Sequence, residues 1–181
     1  MSSFADYAGT WTIDAAHSNI GFVARHAMIT KVRGNFDTFE GTFAVNPESP
    51  SASTINFTAD LASVNTGVAD RDGHLRSADF FDVENNKQMT FASTGLTVNG
   101  ASASLNGNLT IKGATVPVTI EVELNGVTTD PFGNVRAGFE GTTTISRKDF
   151  GLTWNAPLEA GGWLVSDEIK VVLDISAIKQ A

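Results

Sequence analysis

An all-β domain is predicted for this 181-residue chain by three observations. Val, Ile, Thr and Phe are spread through short segments, the usage that a pleated, half-buried surface favours. Most of these segments alternate apolar and polar residues with a period of two. Tight-turn chemistry separates them, among it Asn99-Gly100, Lys112-Gly113, Asn125-Gly126 and the run DPFGN from Asp130 to Asn134. No linker, repeat or low-complexity segment divides the chain. A single domain over residues 1–181 is expected, long enough to bury roughly 70% of its unfolded surface.

The elements follow in order. Trp11 to Asp14 alternate, and HSNIGFVARH from His17 to His26 carries Ile20, Phe22 and Ala24 on one face and Asn19, Gly21, Val23 and Arg25 on the other. In the next run Val32, Gly34 and Phe36 share one parity and Phe39, Gly41, Phe43 and Val45 the opposite one. A strand changes parity only through an extra residue, so a bulge or sharp bend is predicted near Asp37 and Thr38. Asn46 to Ser53 is a turn-rich loop, after which Ile55, Phe57, Ala59 and Leu61 alternate again. Further strands are placed at Gln88–Thr94, Gly95–Val98, Ala103–Ile111, Val116–Leu124, Val135–Ile145 and Leu164–Ile178, with Asn106-Gly107 either a turn or a bulge within a strand. About eight to ten antiparallel strands form a closed barrel or a sandwich. Closure leaves no exposed edge, and long Gly-containing strands favour the barrel. An eight-stranded barrel is either filled by side chains or holds one slender ligand.

One short helix is predicted near residues 68–79. On a helical wheel Asp72, Arg76 and Asp79 fall on a side expected to face water. Val68, Arg71, His74, Leu75, Ala78 and Phe81 occupy the opposite arc, roughly 140° wide. Arg71 and His74 then face the body of the protein, either holding the helix in place or reaching the polar head of a ligand at a barrel mouth.

Composition excludes several classes. A net charge of -8 argues against an unaided grip on nucleic acid or an anionic membrane surface. The absence of cysteine removes disulfides, thiol catalysis and zinc–thiolate sites. The start MSSFADYAGTW has neither a basic nor a continuous apolar region, and no later run approaches the roughly 20 apolar residues of a membrane span. No signal peptide, no stable membrane insertion and a cytoplasmic location are expected.

No metal site or other cofactor is expected. His17 and His26, nine residues apart in one extended strand, would be separated by roughly 30 Å. No GxSxG elbow is present, and the neighbouring carboxylates read as solvated faces. The phenylalanines are more informative: the chain has 12 against one tyrosine. A hydrocarbon ligand needs a lining without hydroxyls, and Phe22, Phe36, Phe43, Phe57 and Phe91 all sit in alternating strands. They either line a pore or fill it.

The motifs in order carry a resemblance. Trp11-x-Ile13-Asp14-x-x-His17-Ser18, Phe22-x-x-x-His26 and Val32-x-Gly34-x-Phe36 are followed by Arg71-Asp72-x-His74-Leu75 and Asp79-Phe80-Phe81-Asp82. Thr90-Phe91, Gly107-x-Leu109-Thr110-Ile111-x-Gly113 and Arg147-x-Asp149-Phe150-Gly151-Leu152 complete the set. Over residues 9–178 this succession resembles the YceI-like, or polyisoprenoid-binding, proteins. The resemblance implies a single extended lipocalin-like barrel, commonly a homodimer, that binds a polyisoprenoid or similar long-chain amphiphile without catalysis. It implies pore lining by Phe22, Phe36, Phe57 and Phe91, with His26, Arg71 and His74 as the polar mouth. Two other readings stand beside it: an enzyme acting on a hydrophobic small molecule with His and Arg at the mouth, and a ligand-free structural or stress-related module.

Overall fold

The structure, a computed structural model, describes residues 3–159 and 161–181. Its first two extended stretches are each broken once. β1 (Gly9–Ile13) and β2 (Asn19–His26) flank a 3₁₀ turn at Ala15–His17, capped by Asp14, whose Oδ1 accepts from the Ala16 amide at 3.1 Å. His17 therefore lies in a turn and not in a strand continuous with His26. β3 (Thr30–Phe36) and β4 (Phe39–Val45) are separated by Asp37 and Thr38, where the parity change required a break. Phe36 and Phe39 consequently pack in the same core although they are three residues apart.

The remaining elements are β5 (Thr54–Asp60), the two-residue β6 (Val64–Asn65), α1 (Ala69–Arg76), β7 (Gln88–Asn99), β8 (Ser102–Ile111), β9 (Ala114–Thr129), β10 (Val135–Ser146) and β11 (Glu168–Lys179). Eight strands form a closed antiparallel ring in the order β1-β4-β5-β7-β8-β9-β10-β11, sealed by pairing of β1 with β11. β2 and β3 prolong β1 and β4 beyond this ring. β2 pairs with β11 from Asn19 to Val23, and β3 pairs with β6 only at Asn35 and Phe36. From Thr30 to Gly34, β3 has β2 on one side and, among the described residues, no strand on the other.

Several local expectations are corrected. Gln88–Thr94 and Gly95–Val98 are one strand, β7, whose register against β8 slips between Ser93 and Gly95. Asn106-Gly107 sits opposite that slip within regular β8–β9 pairing, so the bulge belongs to the partner strand. Asn125-Gly126 is no turn: β9 runs through it, bulging against Gly138 and Phe139. The reversal comes at DPFGN, where Asp130 Oδ1 accepts from the amides of Phe132 (2.9 Å) and Asn134 (3.0 Å). The last strand begins at Glu168 and not at Leu164. Asn155 holds the preceding segment with its side chain, donating to the Val165 carbonyl at 2.8 Å and accepting from its amide at 2.9 Å.

Two packed clusters lie at opposite ends of the barrel. Tyr7, Trp11, Phe43, Ala137 and Ala177 form one; Ile20, Phe36, Leu61, Val64, Phe80 and Phe150 belong to the other. Trp11, Tyr7, Phe150, Leu61 and Val64 are essentially inaccessible to water, and burial of an aliphatic or phenyl side chain of this kind contributes about 1.5–3 kcal/mol. Two glycines make room for rings. A Cβ on Gly34 would stand 2.4 Å from Phe22 Cζ, and one on Gly107 would stand 2.3 Å from Phe91 Cζ and 2.7 Å from the Ala92 carbonyl oxygen. Because a backbone atom blocks the second site, Gly107→Ala is expected to cost about 1–3 kcal/mol, read as a lowered urea midpoint at unchanged slope.

An ion cluster fastens the far turn to the outside of the ring. Arg136 donates through Nε to Asp130 (2.6 Å) and through Nη1 to Asp14 (2.8 Å). The Arg136 hydrogen bond pulls the Asp130 carboxyl from 3.8 to about 2, and the same guanidinium lowers Asp14. Both carboxyls bind protons less readily folded than unfolded. Their contribution is therefore complete above about pH 4 and is lost as pH falls towards about 2. Asp130→Asn is expected to lower the melting temperature at pH 7 and to flatten its decline between those two pH values.

Candidate functional site

The inward parity of the strands defines the site. In β11, Ile169, Val171, Leu173 and Ile175 face inward, whereas Glu168, Lys170, Val172 and Asp174 are exposed. Leu105 and Leu109 of β8, Val118 and Ile120 of β9, and Gly141, Thr143 and Ile145 of β10 continue the wall. They enclose a cavity of about 300 Å³, at the small end of the range for organic ligands.

Phe22, Phe36, Phe43, Phe57 and Phe91 all stand in this wall. Phe36, Phe43 and Phe91 are buried, while Phe22 and Phe57 are half-buried. Phe22 meets Phe36 at 5.7 Å between ring centres, and Phe36 meets Phe81 edge-on at 5.9 Å. The rings lean on one another around the circumference, so the phenylalanines line a space and do not fill it.

The two ends differ. One is stoppered by aromatic contacts: Trp11 stacks on Phe43 (6.2 Å), Phe43 meets Phe139 edge-on (5.4 Å), and Phe139 meets Tyr7 (5.4 Å). The other end is covered by chain outside the ladder: Leu75 of α1, Phe80 and Phe81 after it, Leu152 and Val165. Fewer backbone ladders cross this cover, which makes it the end that opens at lower cost.

Arg147 anchors part of that cover. It is buried at 3% exposure beside the cavity. Nη1 donates to the carbonyls of Leu152 (2.5 Å) and Trp154 (2.8 Å), and Nε donates to the carbonyl of Ser166 (2.9 Å). Asp167 is 3.6 Å from Nη2 and half-exposed. Desolvation pushes the guanidinium below its usual range, and Asp167 partly offsets this. A planar fork of five donors can collect several carbonyls in this way.

The proposed polar mouth residues sit on the segments around this covered end, Arg71 and His74 on α1 and His26 bridged to Val165. Arg71 donates to Thr66 Oγ1 (2.7 Å) and to the Thr66 carbonyl (2.8 Å), fastening the start of α1 to the preceding chain. His74 Nε2 is 2.9 Å from Asp79 Oδ2, and its ring stands edge-on to Trp154 at 4.6 Å. His26 is exposed at the end of β2. None of the three lines the cavity; from the helical segment the wall takes Leu75, Phe80 and Phe81.

Asp72 corrects the helical wheel. It is buried, accepting from the Thr66 amide (2.8 Å) and hydroxyl (2.5 Å). Arg76 donates to the carbonyls of Ala62 (2.8 Å) and Val64 (3.2 Å). The helix ends at Arg76, so Ala78 to Phe81 leave the wheel; Val68 and Ala78 are exposed and Phe80 is buried. Arg147, which enters the sequence reading only within a motif, and the inward row of β11 have no role in the site assigned from sequence. The β11 row is legible as alternation of Ile169, Val171, Leu173 and Ile175, interrupted only by the exposed apolar Val172.

A ring of eight antiparallel strands around a hydrocarbon lumen, covered at one end by a short helix, defines a lipocalin-like barrel, the kind that can hold one slender apolar molecule. The chain belongs to the YceI-like family, whose domain model matches residues 11–177. A UPF0312 protein of Pseudomonas aeruginosa (strain LESB58) is 40% identical over 167 residues, 92% of this chain and 84% of its own. The solved YceI protein of Campylobacter jejuni superposes with a TM-score of 0.74 at 28% identity, covering 87% of this chain and 90% of its own. A polyisoprenoid binding domain from Saccharophagus degradans, implicated in plant cell wall breakdown, shares the fold at a TM-score of 0.71 and 16% identity, covering 94% and 98%.

Proposed function

We propose that this protein binds a long isoprenoid or a similar lipid-like chain inside its barrel and acts on it as a carrier or holder, without catalysis. The observation that carries this reading is the continuous apolar lumen, bounded by phenylalanine and aliphatic side chains. Apart from exposed Glu140, on the outward parity of β10, Arg147 is the charged residue of its wall, and its donors are committed to backbone carbonyls. Thr143 likewise turns its hydroxyl to the Thr119 carbonyl at 2.8 Å. Such a wall offers dispersion and dehydration, which for a five-carbon isoprene unit amount to about 4 kcal/mol before the entropy of ordering the chain is subtracted. The polyisoprenoid binding domain of Saccharophagus degradans supports the same reading by fold.

Organic-solvent extraction of purified protein, followed by mass spectrometry, tests it. A stoichiometric hydrophobic molecule, recovered unchanged after incubation with the protein, is the expected result. Repeated recovery of none, with no uptake of added polyprenols or polyprenyl quinones, would overturn it. Turnover of the added compound would instead favour an enzyme.

A further inference from the structure

We propose that the tip of the β2–β3 hairpin, together with the loop around Trp163, is a docking surface for an anionic lipid bilayer. The proposal rests on the lumen reading for what the bilayer would deliver, but its evidence lies on the outer surface.

Met28, Ile29 and Trp163 are 62%, 78% and 55% exposed. They belong to one patch: the Ala27 amide donates to the Leu164 carbonyl at 2.7 Å, and a Cβ on Gly162 would stand 3.2 Å from Met28 Sδ. The patch adjoins the covered end of the lumen, since Ala24 and Val165, on its two supporting segments, both line the cavity. Tryptophan at such a position suits the bilayer interface, where an amphipathic ring meets the headgroups.

The turn breaks a local rule to place these residues. Ala27 and Met28 have φ of +51 and +67, the left-handed pair for which hairpins normally use Asn-Gly. An exposed methionine held in a glycine conformation costs stability and returns nothing by burial.

Charge selects the partner. From Ala15 to Phe36 the chain has no acidic residue, although it holds 20 elsewhere. Arg25 lies directly opposite Lys31, and Arg33 opposite Val23, so all three basic side chains share the outer face of the hairpin. All three are exposed, and among the described residues none makes an ion pair. The flanking segment from Asn155 to Glu168 adds three acids, Glu159, Asp167 and Glu168, of which Asp167 is paired with Lys148 and lies beside Arg147. The net charge of -8 opposes attraction of the molecule as a whole, whereas this edge is locally basic with an apolar tip, the combination that binds anionic lipid. No helix among the described residues is long and apolar enough to cross a membrane, and the contact proposed is a peripheral one made by the hairpin tip.

Flotation with vesicles of phosphatidylcholine plus phosphatidylglycerol, against phosphatidylcholine alone, tests the surface on the full chain. Binding to the anionic vesicles that weakens with salt is expected. Ile29→Glu should abolish it, and Lys31→Glu and Arg33→Glu should each weaken it by about fivefold or more. Phe132→Glu alters the most exposed aromatic of the opposite end, 87% accessible, and should leave binding unchanged. Melting curves check that each variant is folded. Absence of wild-type binding overturns the proposal, as does binding that Ile29→Glu leaves intact or that Phe132→Glu reduces equally. Light scattering supplies a further outcome: a wild-type dimer that Ile29→Glu converts to monomer, without vesicle binding, would make the patch an interface between copies and overturn it. Extraction of the same preparations separates the two readings. Lipid in the lumen without flotation rejects the docking surface alone, whereas flotation with an empty lumen rejects the lumen reading alone.

Discussion

Val118→Trp is expected to empty the barrel while leaving it folded. Val118 faces the lumen from the first third of β9 and packs beside the cluster of Phe91, Leu105 and Ile120. Its side chain is half-buried because it borders the cavity. An indole at that position has space ahead of it, and it occupies volume that a ligand would need within about 300 Å³. Crowding against the neighbouring side chains costs about 1–3 kcal/mol, within what a domain of this size tolerates. Extracted lipid per mole of protein should fall at least about tenfold, the equivalent of 1.4 kcal/mol. Unchanged occupancy in a folded variant would place the ligand outside the lumen. Thr119→Trp, one residue along and facing outward, is the matched control and should keep its lipid.

Arg147→Ala is expected to produce the largest loss of stability. The substitution leaves the carbonyls of Leu152, Trp154 and Ser166 without the donors that now satisfy them. Each orphaned buried acceptor costs about 1–3 kcal/mol, and entry of water on the Asp167 side relieves part of it. A net loss on the order of 3–5 kcal/mol follows, with a fall in melting temperature of roughly 10 °C. Arg147→Lys should recover little, because an ammonium has no planar fork to span separate carbonyls. Limited proteolysis should cut first between Leu152 and Asp167. Those cuts would show that the damage begins in the cover and not in the barrel ladder.

Val118 and Arg147 differ in how far the sequence discloses their surroundings. Val118 belongs to a strand whose alternation could be read directly, and the same period assigned Phe22, Phe36, Phe43, Phe57 and Phe91 to inward positions. The broken strand at Asp37 and Thr38 was legible because parity is a counting argument that burial of one face enforces. Arg147 gave no such sign. It opens one of the motifs that carry the resemblance, but its place beside Lys148 at a strand end does not disclose burial; only the return of Leu152, Trp154 and Ser166 over the barrel end buries it. Asp72 failed in the opposite direction. The wheel assigned it to solvent, but the chain before α1 doubles back and brings Thr66 onto its carboxylate.

What the sequence determined by itself was therefore the periodic part: an all-β barrel, its inward phenylalanines, its single short helix and most of its tight turns. These follow from interactions between residues a few positions apart, where strand and helix geometry dictate which side chains share a face. The tertiary structure alone decided that the rings leave a lumen, that Arg71 and Arg76 fasten the helix, and that Met28, Ile29 and Trp163 meet at one edge. Each depends on contacts between segments remote along the chain, whose approach is set by closure of the ring and not by any local pattern.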